Sequence, residues 1–237
     1  TSEPVTIDLA AGTYTDALGS FTMTNFENYN GFGSSETIIG TAGANAINGG
    51  AGNDTINAGA GNDWIDGGLG ADSMTGAGGN DTYLVDDAGD IVVEAGGAGT
   101  DQVISMISYT LTGNVEDLIL EGTGNLNGTG NGSANHITGN AGNNIINGRL
   151  GADSMYGLEG DDTYYVDDTG DRVYEADVVG VDTVFSTVSY SGLGQYLENI
   201  TLTGSANNSA TGNGVVNVLT GNSGANLLDG RGGADTM

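Results

Sequence analysis

The chain has 237 residues, 31 of them acidic against three arginines and no lysine, for a formal net charge of −28 at pH 7. Such a surface repels nucleic-acid phosphates and anionic lipid headgroups, so neither nucleic-acid binding nor membrane insertion is expected, and no run of about 18 apolar residues exists to span a bilayer. Leu, Ile, Val and Phe make up only 50 of the 237 residues, and there is no cysteine; at that hydrophobicity and charge a chain stays mostly unfolded unless something neutralises its carboxylates.

Self-similarity organises the chain. Residues 1–39 are read as N-terminal solenoid coils. Residues 40–84 form a first tract of nonapeptides. From Gly49 it reads GGAGNDTIN, AGAGNDWID, GGLGADSMT, GAGGNDTYL, with Asp54, Asp63, Asp72 and Asp81 at the sixth place. Ile56, Ile65, Met74 and Tyr83 hold the eighth, and the preceding unit from Gly40 has Asn45 instead of Asp. Residues 85–129 are read as wider connecting coils, with strands over Val103–Leu111 and Leu118–Leu120. They contain one full copy of the motif, Gly96–Ile104, carrying Asp101.

A second tract spans 130–174, with Asn135, Asn144, Asp153 and Asp162 at the sixth place. Residues 175–211 are again wider coils, with strands over Val184–Tyr190 and Ile200–Leu202. A third tract, 212–237, carries Asn217, Asn226 and Asp235. A longer period overlies the short one. Tyr83-Leu84-Val85-Asp86-Asp87 recurs as Tyr164-Tyr165-Val166-Asp167-Asp168, and Val115-Glu116-Asp117 as Leu197-Glu198-Asn199, with Phe26-Glu27-Asn28 as a third copy of that element. The last repeat stops at Met237 without the polar cap a solenoid needs, so a longer parent chain is expected.

The glycines permit tight turns, and each short strand between them points its eighth residue inward. Two nonapeptides per coil stack units 18 residues apart. Asp54, Asp72 and Asp90 then form one ladder, and Asp63 and Asp81 another. Carboxylates about 4.8 Å apart repel by about 1 kcal/mol in water and roughly 3–4 kcal/mol at a surface-like dielectric. Ca²⁺ between rungs reverses the sign, since it accepts carboxylates and carbonyls in flexible numbers, whereas Mg²⁺ demands rigid octahedral geometry. One histidine and no cysteine argue against zinc.

The motif G-G-x-G-x-D-x-U-x, with U apolar, stands complete at Gly49–Asn57, Gly67–Thr75 and Gly96–Ile104. In it the chain resembles the RTX (repeats-in-toxin) calcium-binding family. The resemblance implies an all-β fold, a right-handed parallel β-roll or β-solenoid, with several Ca²⁺ in the turns. It also implies type I secretion from a Gram-negative bacterium and an extracellular or cell-surface location. The matching metal residues are Asp54, Asp63, Asp72, Asp81, Asp101, Asp153, Asp162 and Asp235, with Asp90, Asp171 and Asp182 as weaker matches. At Asn45, Asn135, Asn144, Asn217 and Asn226 the chain departs from the pattern, and those rungs are expected to be metal-free or joined by asparagine ladders.

No catalytic motif is found: one histidine excludes a paired-histidine protease site, and no G-x-S-x-G elbow is present. The expected role is therefore that of a non-enzymatic, calcium-binding structural region of a large secreted surface protein, such as an adhesin, surface-layer or matrix component. The alternatives are the C-terminal repeat segment of a secreted protease, lipase, haemolysin or polysaccharide-modifying enzyme, and a glycan-binding module using Trp64. His136 is read as a plain surface residue and Tyr83 and Tyr164 as packing residues. Unpaired strand edges make self-association, end to end or in a lattice, a further expectation.

Overall fold

The computed structural model describes residues 5–22, 27–97, 99–176 and 180–237. Phe26 of the expected third Phe-Glu-Asn element lies outside these. Among the described residues all regular structure is short β-strand. The strands run parallel in stacked sheets that form a β-solenoid, as the repeats predict. The chain divides into two compact units, residues 1–107 with 112–117 and residues 108–111 with 118–237.

In the first unit one sheet stacks Val5–Asp8, Glu36–Ile39, Thr55–Ala60, Ser73–Gly78 and Ile91–Val93. The other stacks Asn28–Asn30, Ala46–Asn48, Trp64–Asp66, Thr82–Val85 and Gln102–Ser105. Register follows the 18-residue coil: Ile38 pairs with Ile56, and Ile56 with Met74. These side chains form a buried column that continues to Val92. Ile47, Ile65, Tyr83 and Val103 form the facing column. A strand this short has no interior of its own, so its eighth residue is buried only by the copies on either side.

The expectation of solenoid coils throughout 1–39 is corrected in part. Val5–Asp8 stacks in parallel on Glu36–Ile39, but Thr13–Asp16 and Gly19–Thr22 turn back antiparallel on it. This segment lacks the nonapeptide glycines, and its chain reverses at Leu9–Gly12 and Ala17–Leu18 instead of rising by one coil.

In the second unit His136–Thr138, Ser154–Tyr156 and Arg172–Tyr174 stack in one sheet. A second sheet runs from Tyr109–Thr110 through Ile145–Asn147 and Thr163–Val166 to Val218–Thr220. A third joins Tyr190–Ser191, Ser209–Thr211 and Leu227–Asp229. The expected strand Val184–Tyr190 is therefore two, Thr183–Ser186 and Tyr190–Ser191. Between them Ser186 Oγ donates to the Val188 carbonyl at 2.9 Å and turns the chain. Val103–Leu111 breaks in the same way, with Ser105 Oγ donating to the Ile107 carbonyl at 2.9 Å.

The glycine places of the repeat differ in how strictly they need glycine. At the fourth place Gly70 has φ +130°, a region closed to residues with a Cβ, and a Cβ there would strike the Gly52 carbonyl of the coil below. The second place is milder: Ala77, Arg149, Leu158 and Arg231 adopt φ between 63° and 79° there. Gly70→Ala is expected to lower the unfolding free energy by about 1–3 kcal/mol. Leu158→Gly should leave it unchanged or raise it by less than about 1 kcal/mol, by relieving a left-handed conformation. Denaturant unfolding of both variants checks the pair.

Candidate metal centre

The period-two rule that buries the eighth residue of each repeat also turns the sixth inward. Asp54, Asp63, Asp72, Asp81, Asp101, Asp153 and Asp162 are all at most 3% exposed. They lie beneath their own glycine turns, not on a solvated outer face. Each uses one oxygen to tie the coils together. In the first ladder the Glu36 N–H donates to Asp54 Oδ1 (2.6 Å), the Asp54 N–H to Asp72 Oδ1 (2.6 Å) and the Asp72 N–H to Asp90 Oδ1 (3.0 Å). In the second, N–H groups of Asn45, Asp63, Asp81 and Asp101 reach Asp63, Asp81, Asp101 and Glu116 at 2.7–2.9 Å.

The second unit repeats the device. Asn135 donates to Asp153 and Asp153 to Asp171 (2.7 and 3.0 Å). Asn144, Asp162 and Asp182 donate in turn to Asp162, Asp182 and Glu198 at 2.7–2.8 Å. Asn217 donates to Asp235, which is only half-buried, at 3.0 Å.

The other oxygen is where Asp and Asn differ. Oδ2 of Asp54, Asp63, Asp72, Asp81, Asp153 and Asp162 is buried with no hydrogen-bond partner. At Asp54, Asp72, Asp81, Asp153 and Asp162 it points at the first glycine of its own repeat, where a Cβ would collide with it; the repeat of Asp63 has Ala58 at that place. At Gly49 the Gly67 carbonyl of the next coil lies 2.5 Å from that same Cβ position. Two acceptors thus converge with no donor between them, an arrangement that costs free energy unless a cation joins it.

Where Asn replaces Asp the side chain closes its own bonds. Asn144 Oδ1 accepts the Asn140 N–H (2.8 Å), and its Nδ2 donates to the Leu126 carbonyl of the coil below (2.9 Å). Asn45, Asn217 and Asn226 do the same through Thr41 and Glu27, Asn213 and Leu197, and Asn222 and Asn208. The amide supplies a donor the carboxylate lacks. Asp90 and Asp171 differ again: their Oδ2 atoms accept N–H groups from Asp86 and Asp87, and from Asp167 and Asp168 (3.0–3.2 Å).

No positive side chain relieves the ladders. Among the described residues none of the three arginines pairs with a ladder carboxylate, and Arg231 pairs with Asp229 at the surface (3.2 Å). Burial therefore raises the carboxyl pKa values, to about 6 for Asp54, Asp153 and Asp182 and about 7 for Asp162. Asp63, Asp72, Asp81 and Asp101 shift the same way for the same reason.

Sequence reasoning missed the glutamates. Glu116 and Glu198 continue ladders where the next coil is shorter, 15 and 16 residues on, and the longer side chain spans the offset. Glu94 and Glu175 lie buried, each accepting the hydroxyl of a buried tyrosine, Tyr83 and Tyr164. Both stand 11 residues after their tyrosine, a spacing visible within the 81-residue period. Trp64 is outward and half-exposed as expected. His136 is not isolated: it stacks on Tyr156 at 4.7 Å, and Tyr156 stacks on Tyr174 at 4.5 Å.

Parallel coils with ladders of buried, singly bonded carboxylates facing backbone carbonyls define a β-solenoid whose turns are built for a hard cation. The RTX calcium-binding nonapeptide repeat matches residues 30–65, 48–83, 129–164 and 202–237, together more than half of the chain. The chain belongs to that family, and it is a calcium-binding repeat region. No curated protein matches it significantly.

Two outcomes follow from the ladders. Carboxyl pKa values raised above the unfolded value of 3.8 give stability that is complete below that pH and is lost as pH rises through about 6 to 7. In chelator, the folded β signal recorded by circular dichroism should therefore be strongest near pH 4 and be lost towards pH 8, and calcium should restore it at pH 8. Asp63→Asn should stabilise the chelated protein by about 1–2 kcal/mol, because the amide can donate where the carboxylate cannot. The same variant should show a smaller calcium-induced rise in midpoint; a loss of stability in chelator would count against the orphaned-oxygen account.

Proposed function

We propose that this chain is a structural segment of a secreted bacterial surface protein, which folds when calcium enters its aspartate ladders. The observation that carries the reading is the set of buried Oδ2 atoms without a partner, present at Asp rungs and replaced by a self-satisfied amide at Asn rungs. Asp54, Asp63, Asp72, Asp81, Asp101, Asp153, Asp162, Asp182 and Asp235 are the residues assigned to calcium, with first-place glycine carbonyls as neutral partners. Asp90 and Asp171, whose oxygens are both hydrogen-bonded, serve as ladder ends. Bound calcium supplies the positive charge that the three arginines do not.

Metal free energy then becomes folding free energy. A chain at −28 stays open where calcium is scarce and stiffens where it is abundant, which suits a protein exported unfolded and used outside the cell. Repeats of this family are typical of secreted bacterial proteins, and among the described residues no helix is long and apolar enough to cross a membrane. The chain itself is read as non-catalytic, since its carboxylates are committed to joining coils.

A far-UV circular dichroism titration tests this. Calcium should convert a coil spectrum to a β spectrum cooperatively, and magnesium at equal concentration should not. A full β spectrum in excess chelator at pH 8 would overturn calcium-gated folding.

A further inference from the structure

We propose that Asp81, Glu94 and Asp101 in the first unit, and Asp162, Glu175 and Asp182 in the second, each build a three-carboxylate site for one divalent cation in place of the ordinary ladder step where a nonapeptide tract ends. In each trio one oxygen per residue lies within 4.8 Å of the others, and all six side chains are buried. The proposal rests on the calcium reading only for the identity of the ion.

The sites arise from one change in the repeat. Thr75 pairs with Val93 and Tyr156 with Tyr174, so Glu94 and Glu175 follow at the level of Gly76 and Gly157 one coil earlier. A glutamate thus stands where the next first-place glycine would be. Its carboxylate enters the space left open by the missing Cβ of the glycine beneath. A Cβ on Gly76 would have Asp81 Oδ2, Tyr83 OH and Glu94 Oε1 as its nearest neighbours, the farthest at 2.6 Å. On Gly157 it would meet Tyr164 OH and Asp162 Oδ2.

Oxygens without a hydrogen-bond partner point into both clusters. Asp81 is 0% exposed and Asp162 1%, and their Oδ2 atoms have no hydrogen-bond partner. Glu175 Oε2 is likewise buried and unpartnered. The tyrosine holds its glutamate in place by donating to Oε1. Burial keeps both phenols above their usual pKa, so they remain donors. Burial also raises the Glu94 carboxyl, and takes that of Glu175 to about 8.

The sites differ in kind from the ladder steps between aspartates. A ladder step offers two carboxylates and turn carbonyls, whereas these clusters bring three carboxylates together. Ligand charge count raises calcium affinity, and an all-oxygen set without fixed octahedral geometry favours Ca²⁺ over Mg²⁺. The arrangement also recurs within the chain: Asp, Tyr, Glu and Asp at 81, 83, 94 and 101 return at 162, 164, 175 and 182. Both copies close a tract at the point where the coil lengthens from 18 to 20 residues.

Calcium binding to the full chain at pH 7.5, counted by equilibrium dialysis and followed by calorimetry, tests the proposal. The wild type should show a tightest class of two ions. Glu94→Gln and Glu175→Gln should each remove one ion from that class, or weaken it by about tenfold or more, while the remaining ions bind as before. If the double variant fails to fold, each single variant keeps one intact copy and gives the same reading. Terbium luminescence excited through tyrosine gives a second readout, which Glu94→Gln and Glu175→Gln should each dim. Unchanged stoichiometry and affinity in both glutamine variants would overturn this proposal and leave the ladder reading intact. A wild type that binds no calcium would overturn both.

Discussion

Stacked carboxylates out of water are the constraint on which this structure turns. Each ladder aspartate offers two acceptor oxygens and no donor. The coil below satisfies one of them through a backbone N–H, as Asp54 does for Asp72, and at Asp54, Asp63, Asp72, Asp81, Asp153 and Asp162 the other is buried without a partner. In an interior without Lys or Arg, such an oxygen is protonated or meets a metal ion. The raised carboxyl pKa values and the affinity for calcium are two expressions of that one geometry.

The glycines make the geometry possible. Fourth-place glycines such as Gly70 supply a backbone conformation that other residues avoid. First-place glycines such as Gly67 supply room, because the Asp72 carboxylate occupies the volume a Cβ would need. The exceptions follow the same logic. Second-place substitutions by Arg149, Leu158 and Arg231 are tolerated because their φ is one an L-residue can reach. Glu94 and Glu175 replace a first-place glycine and send their carboxylates into the neighbouring glycine's open space.

Asparagine gives the solenoid a way to continue without metal. Asn144 closes both its polar atoms within the protein, joining coils as an aspartate does but without charge. The first tract carries four aspartates in succession and the third begins with two asparagines, so the density of ladder carboxylates falls along the chain. Rungs of the two kinds share one register, since the backbone N–H of Asn135 reaches Asp153 as that of Asp153 reaches Asp171.

The sequence by itself determined the all-β class, the nine-residue unit, the 18-residue coil and the identity of the ladder aspartates, because a stacked repeat brings like residues together at a fixed spacing. It also marked the Asn rungs as different. Only the tertiary structure decided that the carboxylates are buried under their own turns, since burial depends on the coils above and below. It likewise decided that Thr13–Asp16 and Gly19–Thr22 run antiparallel, and that Asp90 and Asp171 have both oxygens bonded. The glutamates were hidden for a physical reason. Glu94 lies 13 residues from Asp81 and seven from Asp101, separations that fit no repeat, and they meet only because the side chain of one coil fills the gap left by a glycine in another.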